Sequence, residues 1–248
     1  MTAEEIRLVI CLYVVIFLYG IVIGSFLNVC ILRVPLRESI AKERSHCMSC
    51  GYQLAWFDLV PLFSYLFLGG KCRKCREHIS AQYPIVEGLN GILYVLIFII
   101  NGWSIDSIIY CLLTSALLVL MVIDYREHEI PRGVNMFILA LGLINLGFHL
   151  GDWVSYGIGL IAVSIYSAIL FFVFKGKIIN FDEFVFLIII GCMCKWKSAL
   201  AVCMIGMAVW IVAKFVSKVL KKEKTIPFGS GMAAAVYCCF LLTAYLNV

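Results

Sequence analysis

Eight apolar runs divide this chain, and they limit its fold more than any other feature. A run of about 20 apolar residues crosses a hydrocarbon core of about 30 Å, and shorter runs can cross where neighbours tilt. Hydrophobic residues make up 63% of the chain and charged residues 14%, which excludes a soluble globule with a wetted surface. We therefore predict an all-α polytopic membrane protein with about eight transmembrane helices. The predicted spans are 6–32, 84–101, 104–124, 133–149, 153–174, 183–194, 197–217 and 229–247.

Two of these runs need a separate interpretation. The first run is too long for a cleaved signal peptide and follows Glu4 and Glu5 instead of a basic segment, so we interpret it as a transmembrane helix. The sixth run is the shortest, and a re-entrant segment is the alternative to a full span.

Positive charge is distributed unevenly between the loops that connect the runs. If the loop after the first run is cytoplasmic, every Lys and Arg lies on the cytoplasmic side except Arg7, Lys195 and Lys197. This asymmetry follows the positive-inside rule and agrees with an even number of spans. The net charge of +5 is then explained by a basic rim beside anionic lipid, so we expect no nucleic-acid partner.

Four cysteines in the first polar segment form two Cys-x2-Cys pairs: Cys47 with Cys50, and Cys72 with Cys75. Two cysteines at this spacing can direct both sulfurs at one ion, and two such pairs supply the tetrahedral set that Zn²⁺ favours. A reducing cytoplasm disfavours disulfides between them. We predict a structural zinc site. A site in which a neighbouring histidine replaces one sulfur, and four unpaired thiols in a tight fold, are the alternatives.

The chain accordingly divides into three predicted parts. Residues 1–32 form the first transmembrane helix, residues 33–83 form a small cytoplasmic module with the four cysteines of the predicted zinc site, and residues 84–248 form a domain of seven membrane helices.

Aspartates beside the apolar runs are the candidate reactive groups, because an ionised group near hydrocarbon is costly. Asp124 ends the third run and Asp182 precedes the sixth, which places both at the cytoplasmic side. Two carboxyl groups within hydrogen-bonding reach do not both ionise readily, so one keeps a proton while the other accepts one. An aspartic protease uses such a pair to activate water. The alternative is that each aspartate caps a helix or pairs with a basic side chain.

Two glutamates also lie close to the apolar runs. Glu183 is about 100° from Asp182 around a helix, so we expect it to face lipid headgroups or a basic neighbour. Glu87 lies about one turn inside the second run. It is either a functional carboxylate or a structural group with a buried hydrogen bond.

Five ordered motifs lie in the first 90 residues: GSFLNVCILRVP (24–35), CMSCG (47–51), WFDLVPLFSYL (56–66), GKCRKC (70–75) and ISAQYPIVE (79–87). Together they resemble the motifs of type IV prepilin peptidases, which are bifunctional leader peptidase and N-methyltransferase enzymes. The resemblance continues through Asp124 with Pro131 seven residues later, and through IPFG at 226–229. It is weaker at the second aspartate, because INFD at 179–182 lacks both glycines of the family's Gly-x-Gly-Asp motif.

The resemblance implies a membrane aspartic protease with Asp124 and Asp182 as its catalytic pair. Its substrate would be a prepilin or pseudopilin of a type IV pilus or secretion system, cleaved at the cytoplasmic face of the bacterial inner membrane. The second implied activity transfers a methyl group from S-adenosylmethionine to the new N-terminus. The sequence shows no glycine-rich nucleotide loop, so the residues alone do not support that cofactor. By resemblance, the predicted location of the activity is the Cys module with its flanking motifs, including Glu87. A purely structural role of the module in shaping the substrate groove is the alternative.

Two other classes remain as alternatives. An inactive scaffold of pilus or secretion assembly would keep the zinc module and lose the proximity of the aspartates. A proton-coupled transporter would also hold carboxylates in its spans, but near the bilayer midplane and between internal repeats, which the sequence does not show.

Overall fold

A computed structural model describes residues 2–42, 44–173, 179–219 and 228–245, with the side chains of 217–219 and 239–245 left out. These residues form helices and loops, and in the described ranges the only β-type pairings are two isolated bridges. A one-turn helix, α2, covers Phe63–Phe67, and two 3-10 helices cover Trp56–Leu59 and Leu150–Asp152. The longer helices are α1 (Ala3–Leu36), α3 (Gln82–Asn101), α4 (Ile105–Glu127), α5 (Arg132–Phe148), α6 (Trp153–Val173), α7 (Phe181–Met193), α8 (Trp196–Val219) and α9 (Phe228–Tyr245).

Each predicted apolar run corresponds to one of these longer helices, with ends that differ by a few residues. Among the described residues, five helical segments are long and apolar enough to cross a membrane, namely α1, α3, α4, α8, and α6 together with the 3-10 turn before it. The predicted all-α polytopic membrane fold is therefore confirmed. Several predicted positions lie outside the described residues, namely Lys175, Lys177, Lys221, Lys222, Lys224, Ile226 and Pro227.

Local sequence explains how α1 begins and which face it presents to lipid. Thr2 and Glu5 form a capping box, in which the Thr2 N–H donates to Glu5 Oε2 at 2.8 Å and the Glu5 N–H donates to Thr2 Oγ1 at 3.3 Å. Leu8, Val15 and Val22 recur at seven-residue intervals, and all three are exposed. Residues at this spacing share one helix face, so α1 carries an apolar stripe suited to contact with acyl chains.

The chain separates into two compact units, Met1–Ile99 and Ile100–Val248. In the first unit, α1 and α3 approach closely through Gly20 and Gly24, a small-xxx-small pair. A Cβ at Gly20 would lie 2.6 Å from Gly91 Cα, and a Cβ at Gly24 would lie 2.7 Å from Glu87 Cα. Small residues allow such backbone contact between membrane helices. The three-part division at residues 32 and 83 stays a prediction.

In the second unit, α7 packs at the centre of the helices around it. Phe186, Leu187 and Ile190 are fully buried, as expected for a helix that is apolar on all sides. A Cβ at Gly159 of α6 would collide with the carbonyl of Cys194, just after α7. Helix α7 has only 13 residues, which gives a length of about 20 Å.

Candidate functional site

The four predicted metal ligands lie on two loops with the same backbone design. In the first loop, the Cys47 N–H donates to the Tyr52 carbonyl at 2.9 Å. In the second, the Cys72 N–H donates to the Glu77 carbonyl at 2.8 Å. The residue after each second cysteine adopts positive φ, 67° at Gly51 and 62° at Arg76, which turns the chain back on itself. The sequence thus builds two similar knuckles, each closed by its own main-chain hydrogen bonds.

The sulfur atoms of Cys47, Cys50, Cys72 and Cys75 lie within 4.8 Å of one another. The separation between Cys47 Sγ and Cys75 Sγ is 3.8 Å. A tetrahedral ion with Zn–S bonds of about 2.3 Å places its sulfurs about 3.8 Å apart. Among the described residues this group contains only cysteines, so the geometry fits a four-sulfur site that could hold zinc.

At Cys47 the local main chain favours the thiolate form that a metal requires, whereas at Cys75 the main-chain hydrogen bond is outweighed by desolvation and the neighbouring sulfurs, which raise the Cys75 pKa to about 12. N–H groups of Cys50 and Ser49 hydrogen-bond to Cys47 Sγ and lower the pKa of that thiol to about 6. A deprotonated sulfur at neutral pH is the species that binds a metal ion.

A double substitution tests the metal site. We expect the purified wild-type protein to carry about one zinc ion per chain, and the Cys47→Ser/Cys72→Ser variant to carry almost none, because half of the ligand set is lost. Inductively coupled plasma mass spectrometry measures the ion directly. Cys11→Ser, which changes an exposed cysteine of α1, is the control and should keep its zinc. Equal zinc contents in all three proteins would contradict the predicted site.

A buried acidic residue links the two knuckles. Asp58 Oδ1 accepts a charge-assisted hydrogen bond from Arg73 Nε at 2.8 Å, and Asp58 Oδ2 accepts from the Ala55 N–H at 3.2 Å and the Tyr52 hydroxyl at 3.4 Å. Arg73 also lies over the Phe57 ring, 4.8 Å from its centroid. These contacts connect the Cys47 loop with the Cys72 loop independently of any ion.

Glu87, the predicted cofactor-binding residue, lies on α3 and is buried. Its Oε2 accepts from the Leu62 N–H at 2.8 Å, and the Ser25 side chain also hydrogen-bonds to it. Leu62 has φ 60° and ψ −50°, a conformation that is strained for a branched residue. Glu87 therefore fixes the turn before α2, and its role toward a cofactor stays a prediction.

In the second unit, Asp124 is buried near the end of α4. Its Oδ2 accepts two short hydrogen bonds from Ser230, one from the main-chain N–H at 2.6 Å and one from the hydroxyl at 2.7 Å. Charge-assisted bonds of this length fix the carboxylate firmly. Ser230 lies in the first turn of α9, where unpaired N–H groups and the helix dipole favour a negative charge.

Glu183 of α7 also binds the first turn of α9. Its Oε1 accepts from the Gly229 N–H at 3.1 Å, and its Oε2 accepts from the Asn180 N–H at 2.7 Å. The side chain is buried, so the expectation that it faces lipid headgroups or a basic neighbour is wrong. Consecutive N–H groups of α9 thus hold Glu183 and Asp124.

A glycine allows this close approach. A Cβ at Gly229 would lie 2.9 Å from Asp124 Oδ2 and 3.1 Å from Ile130 Cδ1. Such distances leave no room for a side chain unless Asp124 moves. The glycine of the IPFG motif is therefore required by the packing of the carboxylate as well as by any turn.

Asp182, the other predicted catalytic residue, is half-buried at the start of α7. Its main-chain carbonyl accepts from Asn135 Nδ2 at 3.4 Å. Within the described ranges, its carboxylate makes no hydrogen bond or ion pair, although its charge acts on Glu183. The contact between α7 and the Asp124 site is made by Glu183, and pairing of Asp124 with Asp182 stays a prediction.

Sequence comparison identifies the family. Residues 18–100 match the Bacterial Peptidase A24 N-terminal domain. A protein of Aeromonas hydrophila named prepilin leader peptidase/N-methyltransferase is 31% identical over 263 residues, which cover 91% of this chain and 89% of that protein. A protein of the same name from Bacillus subtilis is 28% identical over 92% of this chain and 93% of its own length.

A third relative with this name, from Myxococcus xanthus, is 32% identical over 195 residues. The match covers 76% of this chain but only 58% of that protein. No solved structure matches the chain. The resemblance seen in the motifs is confirmed, and the chain belongs to the prepilin leader peptidase/N-methyltransferase family of membrane enzymes.

Proposed function

We propose that this chain removes the leader peptide of a prepilin or pseudopilin by acid–base hydrolysis. The observation that carries the proposal is the buried Asp124 carboxylate, which the first turn of α9 holds beside the start of α7, where Asp182 lies. An aspartic protease uses two neighbouring carboxyl groups to activate water, and no covalent intermediate forms. Asp124 is one of these groups, and Asp182 is the partner suggested by the sequence motif.

The proposed location is the bacterial inner membrane, with the Cys module and the acidic site facing the cytoplasm. The distribution of Lys and Arg supports this orientation. In the second unit, the end of α4 lies beside the starts of α7 and α9. Helices that cross a membrane in alternating directions would place these three ends on the same side. A substrate whose basic leader is cytoplasmic and whose apolar helix lies in the bilayer would present its cleavage site on that side.

We also propose that the first unit methylates the new N-terminus with S-adenosylmethionine as the donor. The names of the related proteins support this second activity. The four cysteines would hold zinc, whose part is to stabilise the fold of the module. Asp58 and Arg73 would keep the two knuckles in register, and Glu87 would fix the turn before α2.

An assay with purified protein tests both activities. Wild-type protein in lipid vesicles is incubated with a synthetic prepilin segment and isotope-labelled S-adenosylmethionine, and the products are analysed by mass spectrometry. We expect cleavage at a single bond between leader and apolar helix, followed by addition of one labelled methyl group. Intact substrate after prolonged incubation would favour the scaffold alternative. Cleavage without methylation would support the proposed protease activity and contradict the proposed methyltransferase activity.

A further inference from the structure

An apolar segment of the Cys module is exposed although it lies outside the long apolar helices. Residues 56–67, here called the 56–67 segment, lie between the two knuckles and include a 3-10 helix and α2. Trp56 is 80% exposed, Leu66 72% and Phe67 88%. Further large apolar side chains of the segment are also exposed, namely Phe57, Leu59, Val60 and Phe63. A continuous apolar patch of this kind marks a surface that contacts a partner or a membrane.

The middle of the 56–67 segment is attached to α3. The Leu62 N–H donates to Glu87 Oε2 at 2.8 Å. A Cβ at Gly88 would lie 3.7 Å from Leu62 Cδ2, so the Leu62 side chain packs against the second turn of α3. Helix α3 is long and apolar enough to cross a membrane. The segment is therefore held directly beside a transmembrane helix.

Contacts between α1 and α3 give the depth of this attachment. Glu87 lies level with Gly24 of α1, because a Cβ at Gly24 would lie 2.7 Å from Glu87 Cα. Arg33 follows nine residues later, and its guanidinium donates to the Ser39 carbonyl in the loop after α1. Nine residues of helix span about 13 Å. Since an arginine keeps its charged group at the headgroups, Glu87 and the attached Leu62 lie on the hydrocarbon side of the membrane surface.

The lipid-facing side of α3 begins at the same level. Ile85 is 61% exposed, and Ile92, seven residues later on the same face, is 52% exposed. Gly88, which contacts Leu62, lies only about 60° from Ile85 around the helix. The exposed side chains of the 56–67 segment thus continue an apolar surface that α3 already presents to acyl chains.

Basic side chains adjoin the apolar patch. Lys71 and Lys74 follow the segment in the second knuckle and are exposed. The Arg73 guanidinium lies over the Phe57 ring and donates to Asp58. Aromatic and aliphatic side chains flanked by basic ones are typical of surfaces that insert among anionic headgroups. Depth and charge together favour lipid over a protein as the partner of this surface.

We propose that the 56–67 segment is an interfacial anchor, inserted into the leaflet on the side of the Cys module. Trp56, Leu66 and Phe67 contact the upper part of the acyl chains, and α2 lies along the membrane surface. Because the Asp58–Arg73 bond connects the segment to the second knuckle, the four-cysteine group is held close to the headgroups. The inference concerns attachment to lipid and does not depend on which acids hydrolyse a substrate.

Photocrosslinking to lipid tests the anchor. The full-length protein carries p-benzoylphenylalanine in place of Phe67 and is reconstituted, as the only protein, in vesicles of phosphatidylethanolamine and phosphatidylglycerol. Irradiation joins the label to nearby C–H bonds, and mass spectrometry measures the lipid adduct. We expect the adduct yield at Phe67 to be within about 3-fold of that from the same label at Ile85, because both sites would lie among acyl chains.

Glu77 supplies the matched control outside the anchor. It is an exposed residue of the same module, and its carboxylate belongs in water. The label at Glu77 should give at least about 10-fold less lipid adduct than the label at Phe67, because only the anchor enters the acyl region. The label at Trp56 reports the other end of the segment independently of α2. Thermal melting in detergent checks that each labelled protein is folded.

Two results would overturn the anchor. One is a lipid adduct at both Phe67 and Trp56 that is as scarce as at Glu77, while Ile85 is labelled normally. The other is an adduct that joins two copies of the chain in place of lipid, which would make the patch a contact between proteins. Neither result bears on leader cleavage, which is measured separately, so failure of the anchor and failure of the proposed function are distinguishable.

Discussion

Asp124→Asn should abolish leader cleavage while leaving the protein folded. Asparagine keeps an oxygen that can accept the Ser230 hydrogen bonds, but it cannot take a proton from water at neutral pH. Loss of one acid–base group lowers rates by about 100- to 10,000-fold. The measurement is single-turnover cleavage of a prepilin segment by protein in lipid vesicles.

Asp106→Asn is the matched control for this prediction. Asp106 lies at the other end of α4, where its Oδ2 is 3.7 Å from His149 Nε2. Its replacement makes the same chemical change on the same helix but away from the acid pair, so cleavage should continue at the normal rate. Substantial cleavage by Asp124→Asn would show that Asp124 is not a catalytic residue and would remove the protease mechanism proposed here.

Gly229→Ala should reduce cleavage by about 100-fold, because a displacement of about 1 Å can cost that much in rate. The added methyl group would lie 2.9 Å from Asp124 Oδ2 and 3.1 Å from Asp124 Cγ. The carboxylate is tied to Ser230 and cannot turn away without breaking that bond. Zinc content should be unchanged, because the Cys module belongs to the other unit.

Gly231→Ala provides the comparison on the same helix. A Cβ there would lie 3.6 Å from Trp210 Cβ, which is ordinary van der Waals contact. Helix propensity changes equally in the two variants, so any difference between them reports the space beside Asp124. Equal cleavage rates for Gly229→Ala and Gly231→Ala would contradict the tight packing of the carboxylate.

The sequence predicted the parts of this protein that depend on local pattern. Apolar runs predicted the longer helices of the described ranges, because length and hydropathy largely decide whether a segment spans a bilayer. The Cys-x2-Cys pairs predicted a four-sulfur group, because this spacing fixes two sulfurs on one turn. Its position at the end of an apolar run indicates Asp124 as a candidate, and the side chain is buried, while its catalytic role stays a prediction.

The orientation of α7 could not be predicted in the same way. Asp182 and Glu183 are adjacent, and the apolar residues that follow do not show which side faces the other helices. That side is set by packing of residues such as Phe186 and Ile190 against neighbours distant in sequence. One signal was available in the sequence. Asn180 followed by Glu183 is the spacing of a helix N-terminal capping box, which turns the glutamate back toward its own helix start.

The short length of α7 has a consequence for where hydrolysis takes place. At the end opposite Glu183, Lys195 Nζ lies 2.7 Å from Asp152 Oδ2, and both side chains are well exposed, so this ion pair belongs at a watery edge. From that edge, α7 rises only about 20 Å into a hydrocarbon layer of about 30 Å. A helix this short crosses only where the bilayer thins or where the rest of the protein lines the remaining depth. Where the protein lines it, water and the scissile peptide would reach Asp124 through a polar recess, which a thicker bilayer would deepen.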